Sequence, residues 1–154
     1  KLLCDQAIDL KKSIENTFLQ GRCHVVDNFI LDASHNPSSV KNLTSFLNKN
    51  FKDKKFTAIF AAMEDKDCSA MINEISDFIS DWNICLIEDK RFDSTALSSL
   101  VQTLTNKKVN KMNTVYSAIE RGYHEGTPQI VFGSFLTVSE AYKALIKIKN
   151  REIN

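Results

Sequence analysis

Phe29-Ile30-Leu31-Asp32-Ala33-Ser34-His35-Asn36-Pro37 decides the fold class. Three apolar residues in a row suit a strand covered on both faces. Asp32 to His35 make a short polar turn. Asn36 then supplies a helix N-cap, and Pro37 takes the first helical position, where its missing N–H costs nothing. Val40, Leu43, Phe46 and Leu47 follow at three- and four-residue steps, the buried stripe of a helix. Strand, polar turn and helix in this order form one unit of an α/β domain.

The unit recurs downstream. Phe56 to Ala62 reads as a strand, and Asp67 caps a helix bearing Met71, Ile72, Ile75, Phe78 and Ile79. Ile84 to Ile87 reads as a strand, and Ser94 opens a helix with Leu97, Leu100, Val101 and Leu104. A weak strand is expected near Val109 to Met112, and Asn113 is expected to cap a helix with Val115, Ala118, Ile119 and Gly122. Gln129 to Phe132 is an apolar strand, and Thr137 to Glu140 resembles a capping box for a last helix with Ala141, Ala144, Leu145 and Ile148. Upstream, His24–Val26 and Phe29–Leu31 flank Asp27-Asn28 and read as a tight hairpin or as two successive strands. Leu3, Ala7, Leu10, Ile14 and Phe18 mark one further helix, ended by Gly21. About five alternations of continuous apolar strands with helices predict a doubly wound α/β domain. Its sheet is expected to hold about five or six mostly parallel strands, with helices on both faces.

The chain has 154 residues, 43% hydrophobic and 25% charged, the balance of one globular domain. Its 20 basic and 19 acidic residues leave a formal charge of +1. No nucleic-acid footprint follows from that, and no apolar run approaches the ~20 residues of a membrane span. No signal peptide opens the chain, and a start at Lys1 suits a piece of something longer. Cys4, Cys23, Cys68 and Cys85 form no C-x-x-C and have no histidine at ligand spacing. They read as reduced, core-filling thiols of a cytoplasmic protein, with no metal site. No glycine-rich phosphate loop is present.

In an open parallel sheet, ligands gather beyond the carboxyl ends of the strands. The segments there are Asp32–Pro37, Glu64–Asp67, Glu88–Arg91 and Gly133-Ser134. Asp32 can accept from ribose hydroxyls or from backbone amides of its own turn, the turn role being slightly favoured. His35, just before a helix, can bind an anion there or simply lie in solvent. Asn36 reads as a cap, worth ~1 kcal/mol. Lys66 can grip a carboxylate or phosphate, or belong to a solvated loop. Ser134 suits either a close approach to a ligand or the turn into the next helix, and Arg22 either a phosphate fork or a surface charge. His24, His124 and Trp82 carry no pattern, and Trp82 is expected to pack partly buried.

These segments resemble one family in order. Asp32-Ala33-Ser34-His35-Asn36-Pro37 resembles the D-G-A-H-N-P motif of folylpolyglutamate synthases and bifunctional dihydrofolate synthase/folylpolyglutamate synthases. Met63–Asp67 is similar to their D-K-D segment, Asp81-Trp82 precedes a strand as theirs does, and Val131–Val138 resembles their G-S-F-x-T-V segment. Leu19-Gln20-Gly21-Arg22 resembles their P-G-R. The chain departs from the pattern at Gln20, Ala33, Ser34 and Ala61, where the family favours Pro, Gly, Ala and Gly.

The resemblance implies a Rossmann-like C-terminal domain of the Mur ligase superfamily over residues 21–154, with residues 1–20 a junction helix from a preceding ATPase domain. It implies ATP-dependent ligation of L-glutamate to dihydropteroate or a folate through an acyl phosphate, with Mg2+ held mainly by the preceding domain. By resemblance, Arg22 contacts ATP phosphates and Asp32 the nucleotide. His35 lies beside the acyl phosphate and incoming glutamate, and Lys66 and Ser134 contact glutamate. The catalytic pair is then His35 and Arg22. A monomer without nucleic-acid or membrane partners is expected, inactive without its ATPase domain. A peptidoglycan-building Mur ligase domain and a non-catalytic binding module are the alternatives. A phosphatase or receiver domain using Asp32 fails for want of D-x-D or of paired acids and a late lysine.

Overall fold

A computed structural model describes residues 21–88 and 92–152. The expected junction helix, and Asp89 to Arg91 of one strand-end segment, lie outside the described residues. In chain order the elements are β1 (His24–Val26), β2 (Phe29–Leu31), α1 (Pro37–Asn50), β3 (Phe56–Phe60), α2 (Cys68–Ile75), a 3-10 turn (Ser76–Phe78) and β4 (Ile79–Cys85). Then come α3 (Ser94–Thr105), β5 (Lys108–Met112), α4 (Val115–Glu125), β6 (Gln129–Phe132) and α5 (Phe135–Glu152). They form a six-stranded sheet ordered β1-β2-β6-β3-β4-β5. β1 runs antiparallel to β2, and every other pairing is parallel. The hairpin reading of β1 and β2 holds, with Asp27 in the left-handed region at φ 51° turning the corner.

Period-two alternation sorts the strands into two cores. Ile30, Ala58, Phe60, Trp82, Ile84, Ile130 and Phe132 face α1, α2 and α3, whose Val40, Leu43, Leu47, Met71, Ile72 and Val101 close over them. Phe60 stacks on Phe132 at 4.5 Å and meets Trp82 edge-on at 5.7 Å. Trp82 is wholly buried, not partly, with its Nε1 unpartnered. Phe29, Leu31, Ile59 and Val131 face α4 and α5 through Ala118, Ile119, Ala141 and Leu145. Each such large side chain contributes roughly 1.5–3 kcal/mol by leaving water.

Several boundaries differ from expectation, among them the end of β3 at Phe60 instead of Ala62 and of β4 at Cys85 instead of Ile87. The helix from Asp67 stops at Ile75, and β4 begins at Ile79 instead of Ile84, because Ile79 and Trp82 feed the sheet core while Asp81 and Asn83 occupy its polar opposite face. Thr114, not Asn113, caps α4 in a reciprocal box with Ser117. α5 starts at Phe135, so Thr137 lies inside its first turn instead of preceding it.

Candidate functional site

β2 and β6 lie side by side, yet the helix after β2 packs on one face of the sheet and the helix after β6 on the other. Neighbouring strands whose connections part in this way leave a crevice at their carboxyl ends, the switch point of a doubly wound sheet. Two loops meet there. Gly133 N–H donates to the Ser34 carbonyl at 2.8 Å, and Asp32 N–H to the Val131 carbonyl at 2.9 Å. Gly133 has φ 113°, and a Cβ on it would lie 2.4 Å from the Ala61 carbonyl oxygen, so only glycine brings the β6–α5 turn this close to β3.

Asp32 is 2% exposed and saturated by its own chain. Its Oδ2 accepts from Cys23 N–H at 2.8 Å and from Cys23 Sγ at 3.3 Å. Its Oδ1 accepts from Ser34 N–H at 2.8 Å and from the Ser34 hydroxyl. These bonds hold the Gly21–Cys23 turn, reinforced by Ala33 N–H donating to the Gly21 carbonyl at 2.7 Å. Burial, and after it the Asp32 charge, push the Cys23 thiol up to about 12, so it stays protonated. Arg22 projects from this turn, exposed and in no ion pair among the described residues.

His35 is half-buried, with Nδ1 3.0 Å from the Ala33 carbonyl. A carbonyl accepts only, so Nδ1 carries the proton and Nε2 is left for a ligand. The imidazole lies 5.3 Å from the ring of Phe135, which is 63% exposed. Next to it, Ser134 Oγ accepts from Thr137 N–H at 3.0 Å, capping α5, and lies 2.7 Å from Thr137 Oγ1. Thr137 Oγ1 in turn donates to the Ala61 carbonyl at 3.1 Å. The N-terminus of α5 therefore faces the crevice, where its dipole favours negative charge.

Arg22, Asp32, His35 and Ser134 thus share the β2–β6 crevice, because antiparallel β1 starts where β2 ends. Lys66 lies at the same end of the sheet but elsewhere along it. It pairs with Asp65 at 2.9 Å and lines a cleft of about 250 Å³ with Asp67, Cys68, Asp93 and Leu97, between α2 and α3.

Sequence reasoning passed over Phe135, Tyr142 and His24. Tyr142 Oη accepts from Gly21 N–H at 3.0 Å and lies 2.5 Å from His24 Nδ1, tying the Arg22 turn to α5. Burial lowers the His24 pKa, favouring the neutral ring that accepts from the tyrosine. The only forewarning was an aromatic directly after Gly133-Ser134, where a buried stripe had no use for it.

The architecture defines a doubly wound α/β domain, a class of fold whose ligands gather at the strand ends where the connections part. Residues 21–135 match the family model for the Mur ligase, glutamate ligase domain, and the chain belongs to that family. It is 28% identical over 148 residues to a dihydrofolate synthase/folylpolyglutamate synthase of Buchnera aphidicola, covering 94% of this chain and 34% of the relative. A protein of the same name from Escherichia coli is 23% identical over 139 residues, covering 88% and 33%. Among solved structures, Escherichia coli FolC in complex with DHPP and ADP superposes with a TM-score of 0.78 at 20% identity, over 91% of this chain and 34% of that one. A bifunctional folylpolyglutamate synthase/dihydrofolate synthase from Yersinia pestis, complexed with AMPPNP and Mn ion, gives 0.75 at 23% identity over 89% and 34%. The chain spans about a third of the length of these relatives.

Proposed function

We propose that this chain is the C-terminal domain of an ATP-dependent carboxylate–amine ligase that joins L-glutamate to dihydropteroate or a folate. The supporting observation is the meeting of three segments at the strand ends: the Gly21–Cys23 turn that carries exposed Arg22, the Asp32–His35 turn and the Gly133-Ser134 turn into α5 are hydrogen-bonded to one another there. Such a half-site suits a reaction completed by another domain, in keeping with relatives about three times as long.

In this reaction ATP phosphorylates the folate carboxylate, and the glutamate amine attacks the acyl carbon. Phosphate then leaves, and the nitrogen loses its extra proton. Arg22 takes the phosphate charge through a planar fork. Asp32 serves the nucleotide by holding the turn that aims Arg22, since both its oxygens are already engaged. His35 Nε2 meets the incoming amine and the charge building beside it. Ser134 holds the α5 start against glutamate, and Lys66 reaches a glutamate carboxylate from the neighbouring cleft. Catalysis is positioning and charge neutralisation, without a covalent nucleophile. Among the described residues no group of three His, Cys, Asp or Glu can hold a metal ion, so magnesium is assigned no ligand and no step here. No helix among the described residues is long and apolar enough to cross a membrane. A cytoplasmic monomer fits this reading.

In the complete enzyme, His35→Ala is expected to raise the KM for glutamate more than that for ATP, measured in steady state. Equal increases would reject the assignment of His35. The 154-residue chain alone is expected to show no glutamate-dependent ATP turnover.

A further inference from the structure

The face of the sheet covered by α4 and α5 changes character along the strands. Toward their carboxyl ends it carries Ile59, Cys85 and Val131. Toward their amino ends the register aligns Thr57 of β3, Asp81 and Asn83 of β4, Lys108 and Asn110 of β5, and Gln129 of β6. With the last turns of α4 these side chains line a recess of about 190 Å³, at the far end of the strands from the β2–β6 crevice. That is room for roughly six water volumes.

Polar groups withdrawn from water are normally paired, and this lining holds one buried orphan and several side chains with bonds to spare. Asn83 is 2% exposed, and its Oδ1 accepts from Asn110 Nδ2 at 3.0 Å. Asn83 Nδ2 and Asn110 Oδ1 take no part in that bond and have no other partner among the described residues, a donor and an acceptor open to the recess. Gln129 is 1% exposed; its Nε2 donates to Thr127 Oγ1 at 2.7 Å, while Oε1 is buried without a partner. Asp81 and Lys108 are register neighbours but form no ion pair. At the mouth, Arg121 and Glu125 neutralise each other at 2.9 Å. The recess therefore offers one carboxylate, one ammonium and an unfinished amide pair, a lining matched neither to a pure anion nor to a pure cation.

We propose that this recess binds a small zwitterion, a free α-amino acid. Its ammonium group meets Asp81 and Asn110 Oδ1, and its carboxylate meets Lys108 and Asn83 Nδ2. A compact side chain fits the remaining volume beside Thr57. Neither end group alone satisfies both walls, so each half-ligand binds more weakly than the whole.

The test is a titration of the 154-residue chain followed by nitrogen-15 NMR of the Asn83 and Asn110 side-chain amides. The probes are glycine, L-serine, methylamine and acetate. Glycine and serine are expected to shift both amides saturably in the millimolar range, at least about tenfold more tightly than methylamine or acetate. Asp81→Asn and Lys108→Met are each expected to weaken glycine about tenfold. If one variant does not fold, the other carries the comparison. Absence of saturation, an equal response to acetate or methylamine, or binding unchanged in a folded variant overturns the proposal.

Discussion

Gly133 carries more structural demand than its lack of a side chain suggests. At φ 113°, with the Ala61 carbonyl 2.4 Å from where a Cβ would sit, neither its backbone nor its neighbour can yield cheaply. Gly133→Ala is expected to cost about 2–4 kcal/mol and to lower the melting temperature, read by thermal denaturation. The turn alternatives for Asp32, Asn36 and Ser134 were legible because short polar side chains seek nearby amides, and all three do so here. What no spacing rule shows is that Asp32 also accepts from an amide nine residues upstream, or that Tyr142 reaches Gly21 across 121 positions. Such partners exist only once a sheet has closed. Phe135 escaped notice for the opposite reason: its exposure has no periodic signature.

Helix starts were the most readable elements where one polar residue could serve. Asn36 before Pro37 predicted α1 to the residue, and its side chain accepts from Ser39 N–H at 2.9 Å. Where two candidates stood in line, the one able to close a reciprocal capping box won. Thr114 caps α4 because Ser117 completes the reciprocal bond. Thr114→Ala is therefore expected to destabilise the domain by about 1 kcal/mol, and Asn113→Ala by a few tenths, compared by urea denaturation. β4 was misread because three of its seven side chains are polar; Ile79-Ser80-Asp81-Trp82-Asn83 looks like helix end and loop until its other face is seen in a recess. The parallel strands with apolar residues on both faces, β2, β3 and β6, were found close to their true bounds, since continuous hydrophobicity is what double coverage requires.

At the scale of the molecule, alternation of strand and helix foretold the layers but not the order of strands. Order depends on which edges meet, and β6 enters between β2 and β3. A chain cut after Pro128 keeps every helix but the last, yet loses the strand that joins its two halves. Such a truncation is expected to abolish the cooperative melt seen by circular dichroism and to bring aggregation. The same insertion matters during synthesis. Until Gln129–Phe132 leaves the ribosome, β2 and β3 each present an open hydrogen-bonding border, with Ile30 and Phe60 beside it. The interval between completion of β3 and emergence of β6 is thus when this chain most needs a holdase, and slow decoding within it would lengthen that hazard.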